Sequence, residues 1–473
     1  MTQLSVHDAL QLALRHQHAG NLKDAEQIYR QILQVYPDQP DALHLLGMIA
    51  YQASAAGGGG GSALAEAEGL VRRAIALSPQ PAFTLTLGGI LLNAKRPDEA
   101  IQLYRDLLAA NPTLPEAHTH LGIALCVARR HDEAIAPLEQ SLQLDPNNPY
   151  TQGNLGIALT HVNRLDDAIK HLQSATTALP LNGDFHSALA TALNRAGKYE
   201  DAITAATRAT QLAPNRGEPH HTLSIALARQ NKIADALPHA KRAAELLPEI
   251  ADVQSVLAEL LRQIGKPDEA IALYRTVLEK QPNAAELRTN LGTLLLEQSL
   301  HDEALAELRR ALTSAPKRSD IHSALLHALL FHPTLDIPTL LNEHRDFHRR
   351  HADSLTPRNP TYSNSREPQK ILRIAYLSSE FRAHPIGMLL LPLLQHHDKA
   401  EVESFCYSDT RNPDALTTHL QKSADYWRDS RNLTDAQLAD LIRTDHIDIL
   451  IDLHQHSPPP HGNRLLTFAR KPA

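Results

Sequence analysis

Apolar residues run along the first two thirds of the chain at helical spacing, and the whole pattern returns with a fixed period. Prolines stand at Pro112, Pro146, Pro180, Pro214, Pro248, Pro282 and Pro316, each 34 residues after the last. Alanines keep the same step at Ala100, Ala134, Ala168, Ala202, Ala236, Ala270 and Ala304. Short polar pairs such as Asp98-Glu99 or Asp268-Glu269 precede them. Twelve residues upstream of each stands a small residue: Gly88, Gly122, Gly156, Ala190, Ser224, Ala258 or Gly292. The pattern predicts one helix pair per period. The small residue on the first helix faces the alanine of the second, so the two backbones can approach closely. Acidic residues open the second helix, where its dipole favours negative charge, and the proline ends it. Two further units, Ala25 to Pro37 and Ala67 to Pro79, precede the strict series, so nine repeats are expected over residues 1–316. The second is longer than the rest. Its surplus falls at residues 54–63, around the run Gly57–Gly61. Five glycines cost a helix too much entropy, which predicts a loop between the two helices of that repeat.

After Pro316 the period is lost. Ile321–Leu330 and Thr339–His351 read as helices that cap the last repeat, and the Pro-, Ser- and Asn-rich Ser354–Gln369 reads as a linker, so residues 317–369 form a cap and connection. From Lys370 short β-rich runs alternate with helices. Ile371–Leu377, Glu401–Tyr407 and Ile447–Leu453 are the strands. Ile386–His397, Pro413–Ala424 and Thr434–Thr444 are the helices. The alternation predicts a βαβαβ unit of an open α/β sheet in residues 370–473. Ligands of such sheets lie beyond the carboxyl ends of the strands, where Ser378–Pro385 and His454–Gly462 fall.

Composition narrows the class. Hydrophobic residues at 42% and charged residues at 21% support packed cores, while 4% aromatics with a single Trp argue against a sandwich or barrel. Lys plus Arg is 46 against 53 for Asp plus Glu, a net charge of −7, so there is no basic surplus for nucleic acid. No apolar run reaches the ~18 residues of a membrane span, and the N-terminus has no secretory pattern. Two cysteines, Cys126 and Cys406, fit a reducing compartment, so a cytoplasmic location is expected, and both read as small core residues. Trp427 reads as packing.

The 34-residue pattern resembles the tetratricopeptide repeat, paired helices stacked into a superhelix. The stretch LRIAYLSSEFRAHP (Leu372–Pro385) and the later FCYSDTRNPDALT, ADYWRD, LADLIRTDHIDILIDL and GNRLLTFARKPA resemble the opening of the catalytic domain of protein O-linked N-acetylglucosamine transferases, with SPINDLY-type relatives sharing it. The resemblance covers residues 370–473. The expected fold is therefore mostly α, a tetratricopeptide-repeat superhelix followed by a partial Rossmann-like lobe of a GT-B enzyme. The resemblance implies an inverting glycosyltransferase that moves N-acetylglucosamine from UDP-N-acetylglucosamine to Ser or Thr. Its protein substrates would be recruited on the concave face of the repeats. No cofactor, metal, nucleic acid or membrane is implied.

Residue by residue, His384 in Ala383-His384-Pro385 matches the family's histidine after the first strand, and Asp452 and His456 match the aspartate and histidine after a later strand. Sugar transfer needs a route for the acceptor proton and polar groups that orient the sugar, and an imidazole suits either. His384 could instead cap the helix that follows. Asp452 with His454, His456 and His461 makes only a loose metal-ligand set. Two departures from the family stand out. Pro458-Pro459-Pro460-His461 lengthens the loop beside the proposed site, and the remainder of the catalytic domain, with its diphosphate contacts, has no counterpart in these 473 residues. The chain alone is therefore expected to be inactive. The family's peptide-gripping asparagines are kept only at Asn154 and Asn290; Thr86, His120, Ala188, Thr222 and Val256 stand at the other positions. Two rival readings are a non-catalytic repeat scaffold and a SPINDLY-like protein O-fucosyltransferase.

Overall fold

The computed structural model describes residues 5–55, 60–453 and 464–470, and the chain divides into two compact units, Met1–Leu247 and Pro248–Ala473. The expected sites at His454–Gly462, with His456 and the Pro458–Pro460 insertion, lie outside the described residues.

Among the described residues the first unit is seven helix pairs. They are α1 (Val6–His18) and α2 (Leu22–Val35), α3 (Pro40–Ala55) and α4 (Gly60–Leu77), and α5 (Pro81–Asn93) and α6 (Pro97–Ala110). Next come α7 (Pro115–Val127) and α8 (His131–Leu144), and α9 (Pro149–His161) and α10 (Leu165–Ala178). The last two pairs are α11 (Gly183–Arg195) with α12 (Tyr199–Leu212) and α13 (Gly217–Arg229) with α14 (Ile233–Leu246). Helix α3 runs on to Ala55 and α4 begins at Gly60, so helix takes in both ends of the loop expected at residues 54–63. The Ala- and Glu-rich stretch after Ser62 carries enough helix propensity to absorb two glycines in a first turn.

Close approach within each pair has a more specific geometry than a small residue facing the recurring alanine. A Cβ on Gly156 would lie 2.5 Å from Cγ of Leu172 and 3.1 Å from the carbonyl oxygen of Ala168. At Gly122 it would lie 2.4 Å from Leu138, and at Gly88 2.1 Å from the Tyr104 ring. The glycine therefore accommodates the large side chain one turn beyond the alanine, while the alanine contributes backbone. Ala100, Ala134, Ala168 and Ala202 are all fully buried.

The turn inside each pair keeps its own register. Residues 95, 129, 163, 197 and 231 of this unit, which are Lys95, Arg129, Asn163, Gly197 and Asn231, all adopt positive φ, between 58° and 76°. At the first of them Lys95 N–H donates to the carbonyl of Leu92, and Arg96 N–H to that of Leu91. That is a Schellman-type helix end.

The second unit opens with two more pairs, α15 (Ala251–Gln263) with α16 (Pro267–Lys280) and α17 (Ala285–Glu297) with α18 (His301–Ser314). Helices α19 (Ser319–Leu330) and α20 (Ile337–Phe347) follow. Ile321, Ala324, Leu325, Ala328 and Phe347 pack with Leu308, Ala311 and Leu312 of α18 in one apolar cluster. The backbone then widens into a π turn at His348–Ala352.

The rest is a parallel sheet with helices on both faces: β1 (Leu372–Ser378), α21 (Pro385–His396), β2 (Val402–Ser408), α22 (Ala415–Ser423), β3 (Tyr426–Asp429), α23 (Asp435–Thr444), β4 (Ile449–Asp452) and α24 (Leu465–Ala469). The strand order is β3-β2-β1-β4, and every pairing is parallel. Alternation along the strands separates two cores. Ala375, Leu377, Phe405 and Tyr407 pack with Leu438 and Ile442 of α23. Tyr376 and Cys406 turn to the other face, against Leu390 and Leu394 of α21 and Leu420 of α22. The βαβαβ expectation thus gains a fourth strand, β3, whose four residues YWRD carry no apolar run. Trp427 in β3 packs against Phe381, ring centroids 5.4 Å apart. Among the described residues no helix is long and apolar enough to cross a membrane.

Candidate functional site

The strand order carries a switch point. The chain winds outward from β1 to β2 and β3, then crosses back past β1 to lay down β4. The strands that follow β1 lie on one side of it and β4 on the other, so the carboxyl ends of β1 and β4 flank the point where the strand order reverses. Asp452 closes β4 and is paired in register with Leu377 near the end of β1. His384 stands on the loop from β1 to α21. The fold therefore brings His384 and Asp452 to the same carboxyl edge of two adjacent strands, both half-buried.

The loop that holds His384 is tied at several points. The Ser378 hydroxyl accepts from the amide of Glu380 at 3.0 Å. Thr410 Oγ1 accepts from the amide of Phe381 at 3.2 Å. Glu380 is buried at 3% exposure and accepts from Arg382 Nε at 2.6 Å. Asp414, N-cap of α22, accepts from the amide of Ala383 at 2.6 Å and from that of Thr417 at 3.0 Å. The Ala383 and Thr417 amides hold the Asp414 carboxyl below its ordinary range. Gly387, in the first turn of α21, lets the loop fold over the helix. A Cβ there would sit 2.3 Å from the carbonyl oxygen of Arg382.

His384 is the N-cap of α21, and its Nδ1 accepts from the amide of Ile386 at 3.3 Å. A nitrogen that accepts carries no proton, so the neutral ring is the Nε2–H tautomer. The capping geometry leaves His384 with an N–H to offer on its other edge.

One anchor was not read from the sequence as a functional candidate. Arg464 donates from Nε and Nη2 to the two oxygens of Asp409 at 2.6 and 3.0 Å, and also reaches the carbonyls of Ser430 and Leu433. Asp409 follows β2, and its amide donates to the carbonyl of Ser378. Arg464 therefore clamps the stretch before α24 to the carboxyl ends of β2 and β3. Its only signal was its place in the quoted GNRLLTFARKPA stretch.

The two thiols are poor nucleophiles. Burial pushes Cys406 up to about 12 and Cys126 up to about 11. Cys406 is fully buried, and Cys126 is partly buried. The two asparagines at the expected peptide-gripping positions are engaged within the array, Asn154 on its own helix and Asn290 on the preceding repeat. Asn154 Nδ2 donates to the carbonyl of Tyr150, and Asn290 Nδ2 to Ser255 Oγ.

Residues 349–473 match glycosyl transferase family 41. Tetratricopeptide repeat matches cover residues 6–49, 60–149, 127–192 and 221–319. The probable UDP-N-acetylglucosamine–peptide N-acetylglucosaminyltransferase SPINDLY of Solanum lycopersicum is 30% identical over 138 residues, 28% of this chain and 14% of that protein. The corresponding SEC protein of Arabidopsis thaliana is 33% identical over 105 residues, 22% of this chain and 10% of its own length. The chain thus spans a small part of the curated relatives it matches. A mutant O-GlcNAc transferase of Thermobaculum terrenum is 31% identical over 62% of this chain and 49% of that one, with a TM-score of 0.45. The chain carries tetratricopeptide repeats followed by a region, residues 349–473, that matches glycosyl transferase family 41.

Proposed function

We propose that this chain is the recruiting and first catalytic portion of a protein O-linked N-acetylglucosamine transferase. The repeats, residues 1–316, take up protein substrates on their concave face. The lobe from residue 370 contributes to transfer of N-acetylglucosamine from UDP-N-acetylglucosamine to Ser or Thr. The protein works in the cytoplasm. The observation that carries this reading is the family match over a lobe whose strand order places His384 and Asp452 at the switch point.

Within that reading the cap geometry favours one division of roles. His384, carrying its N–H on Nε2, orients the sugar or its phosphate oxygens as a hydrogen-bond donor. It does not serve as the base, since taking up a proton at Nε2 requires the tautomer that cannot accept from Ile386. Asp452 is acceptor-only when ionised and is suited to binding sugar hydroxyls or steering the acceptor. His456, four residues beyond Asp452 in sequence, lies outside the described residues and joins the set through the family resemblance alone.

The test joins residues 1–473 in frame to the rest of the catalytic domain of the Thermobaculum terrenum relative. Labelled UDP-N-acetylglucosamine and, separately, GDP-fucose are supplied with protein acceptors. Transfer of N-acetylglucosamine to Ser or Thr, lost when the repeats are deleted, is the expected result. Fucose transfer alone would replace the donor assignment. Acceptor capture with neither sugar transferred would leave a scaffold.

A further inference from the structure

We propose that His322, Glu343 and Asp346 form a binding site for a divalent transition-metal ion of the zinc class, set on the helices after the last repeat. The site is distinct from the strand-end residues His384 and Asp452. One ring nitrogen of His322 and one carboxylate oxygen each of Glu343 and Asp346 lie within 4.8 Å of one another.

The second, independent observation is the imidazole itself. His322, on α19, is fully buried, and its Nε2 has no hydrogen-bond partner among the described residues. Its Nδ1 lies 3.1 Å from Nε2 of His351. When Nδ1–H donates to His351, Nε2 is left as a bare lone pair inside the protein. A buried polar atom of this kind is rare and unfavourable unless something binds it. A neutral imidazole is the form that ligates metal.

The surrounding backbone places the other groups. Glu343 and Asp346 are three residues apart on α20 and share one helix face. The π turn at His348–Ala352 widens the next turn and carries His351 to the same side. One imidazole and two carboxylates suit zinc, which takes nitrogen and oxygen at about 2.0–2.2 Å. Two carboxylates also neutralise a dication. His351, accepting from the far side of the His322 ring, has the position of a partner that fixes a ligand's tautomer.

Every charged neighbour bears on the site. Arg309 of α18 contacts Glu343 at 2.7 Å, and Arg349 and Arg350 contact Asp346, Arg350 at 2.7 Å. These guanidiniums are 43–77% exposed, so water holds them nearly as well as the carboxylates do. Asp320 lies near enough to act on His351. The arginines compete with the ion without excluding it.

The experiment uses the 473-residue chain without a histidine tag, stripped with chelator and dialysed. Zinc chloride is titrated by calorimetry and by thermal unfolding, and cobalt(II) by visible absorption. The expected result is one tight equivalent, a rise in unfolding midpoint of several degrees and a low-coordinate cobalt spectrum. Affinity should fall at least tenfold in His322→Leu and in Asp346→Asn, fall about 10–100-fold in His351→Ala, and stay unchanged in His131→Ala, a control among the 28 histidines. Should His322→Leu fail to fold, Asp346→Asn and Glu343→Gln alter partly exposed carboxylates and carry the test. No bound equivalent, or zinc held equally by Asp346→Asn and Glu343→Gln, overturns the proposal.

Discussion

Asp414 caps helix α22 and, with its second oxygen, accepts the amide of Ala383 at 2.6 Å. One carboxylate thus joins the start of a helix after β2 to the residue before His384 after β1. The capping box with Thr417 fixes the rotamer, so the loop inherits the rigidity of α22. Asp414→Ala should leave the lobe folded and free the loop. Hydrogen exchange at Ala383 should speed up at least tenfold, while amides of β1 remain protected. Equal protection of Ala383 in both proteins would remove Asp414 from any role in placing His384.

The helix-pair turns store strain that can be relieved. Lys95 sits at φ 59° and is exposed. An L-residue in this region costs about 1–2 kcal/mol, part of which glycine gives back as unfolded-state entropy. Lys95→Gly should therefore stabilise the first unit by about 0.5–1 kcal/mol. Asn163→Gly, at φ 66°, should gain less because Asn tolerates the conformation. Urea unfolding of both variants checks the order; a loss in Lys95→Gly would contradict the turn geometry.

Arg464 tests how α24 is held. Replacing it with Met removes both bonds to Asp409 and leaves that largely buried carboxylate with fewer donors. The expected cost is roughly 2–3 kcal/mol, below the full buried-pair figure because both groups keep 17% exposure. Arg464→Lys should recover little, since one ammonium cannot reach two carboxylate oxygens and two carbonyls together. Denaturant midpoints for the two variants provide the comparison.

Acid should loosen the lobe through Asp448. Burial alone would raise its carboxyl, but hydrogen bonds from Lys370, the Arg373 amide and Asn364 outweigh burial and hold it below the ordinary aspartate range. A carboxyl lowered in the folded state stabilises above its unfolded value, about 3.9, and that stabilisation is lost as pH falls through the folded value. Wild-type stability should therefore drop more steeply than that of Asp448→Asn between pH 5 and pH 3 (about one unit either side of the unfolded value). Parallel curves would show that Asp448 is not the linker's acid-sensitive tie.

Much of this was legible in the chain. The 34-residue spacing of Ala100 through Ala304 marks the helix pairs because packing geometry repeats wherever the sequence does. β1 and β4 announced themselves as the apolar runs Ile371–Leu377 and Ile447–Leu453, as strands of a parallel sheet do. β3 did not: Tyr426–Asp429 is short and lies at the sheet edge with Tyr426 and Asp429 exposed, so it carries no burial signature. The positive-φ turn is flagged by glycine only in some repeats, as at Gly197 and Gly265, while Lys95, Arg129 and Ser299 hide it in others. His384 and Asp452 were named through the resemblance to the transferase family, not from the pattern of the strands. The pairing that sets them on adjacent strands, and the cap that fixes the His384 tautomer, are tertiary facts with no local spelling.

The most direct test of the account lies at His384. In the joined transferase described above, turnover is compared for His384, His384→Ala and His384→Asn. Asparagine keeps an N-cap and a hydrogen-bond donor but cannot take up a proton at neutral pH. With His384 as capping donor, alanine should lose about 10²-fold or more in kcat/KM, and asparagine should stay within about tenfold of wild type. Equal collapse of both variants, with folding intact, would make His384 a base and contradict the tautomer that the Ile386 bond imposes.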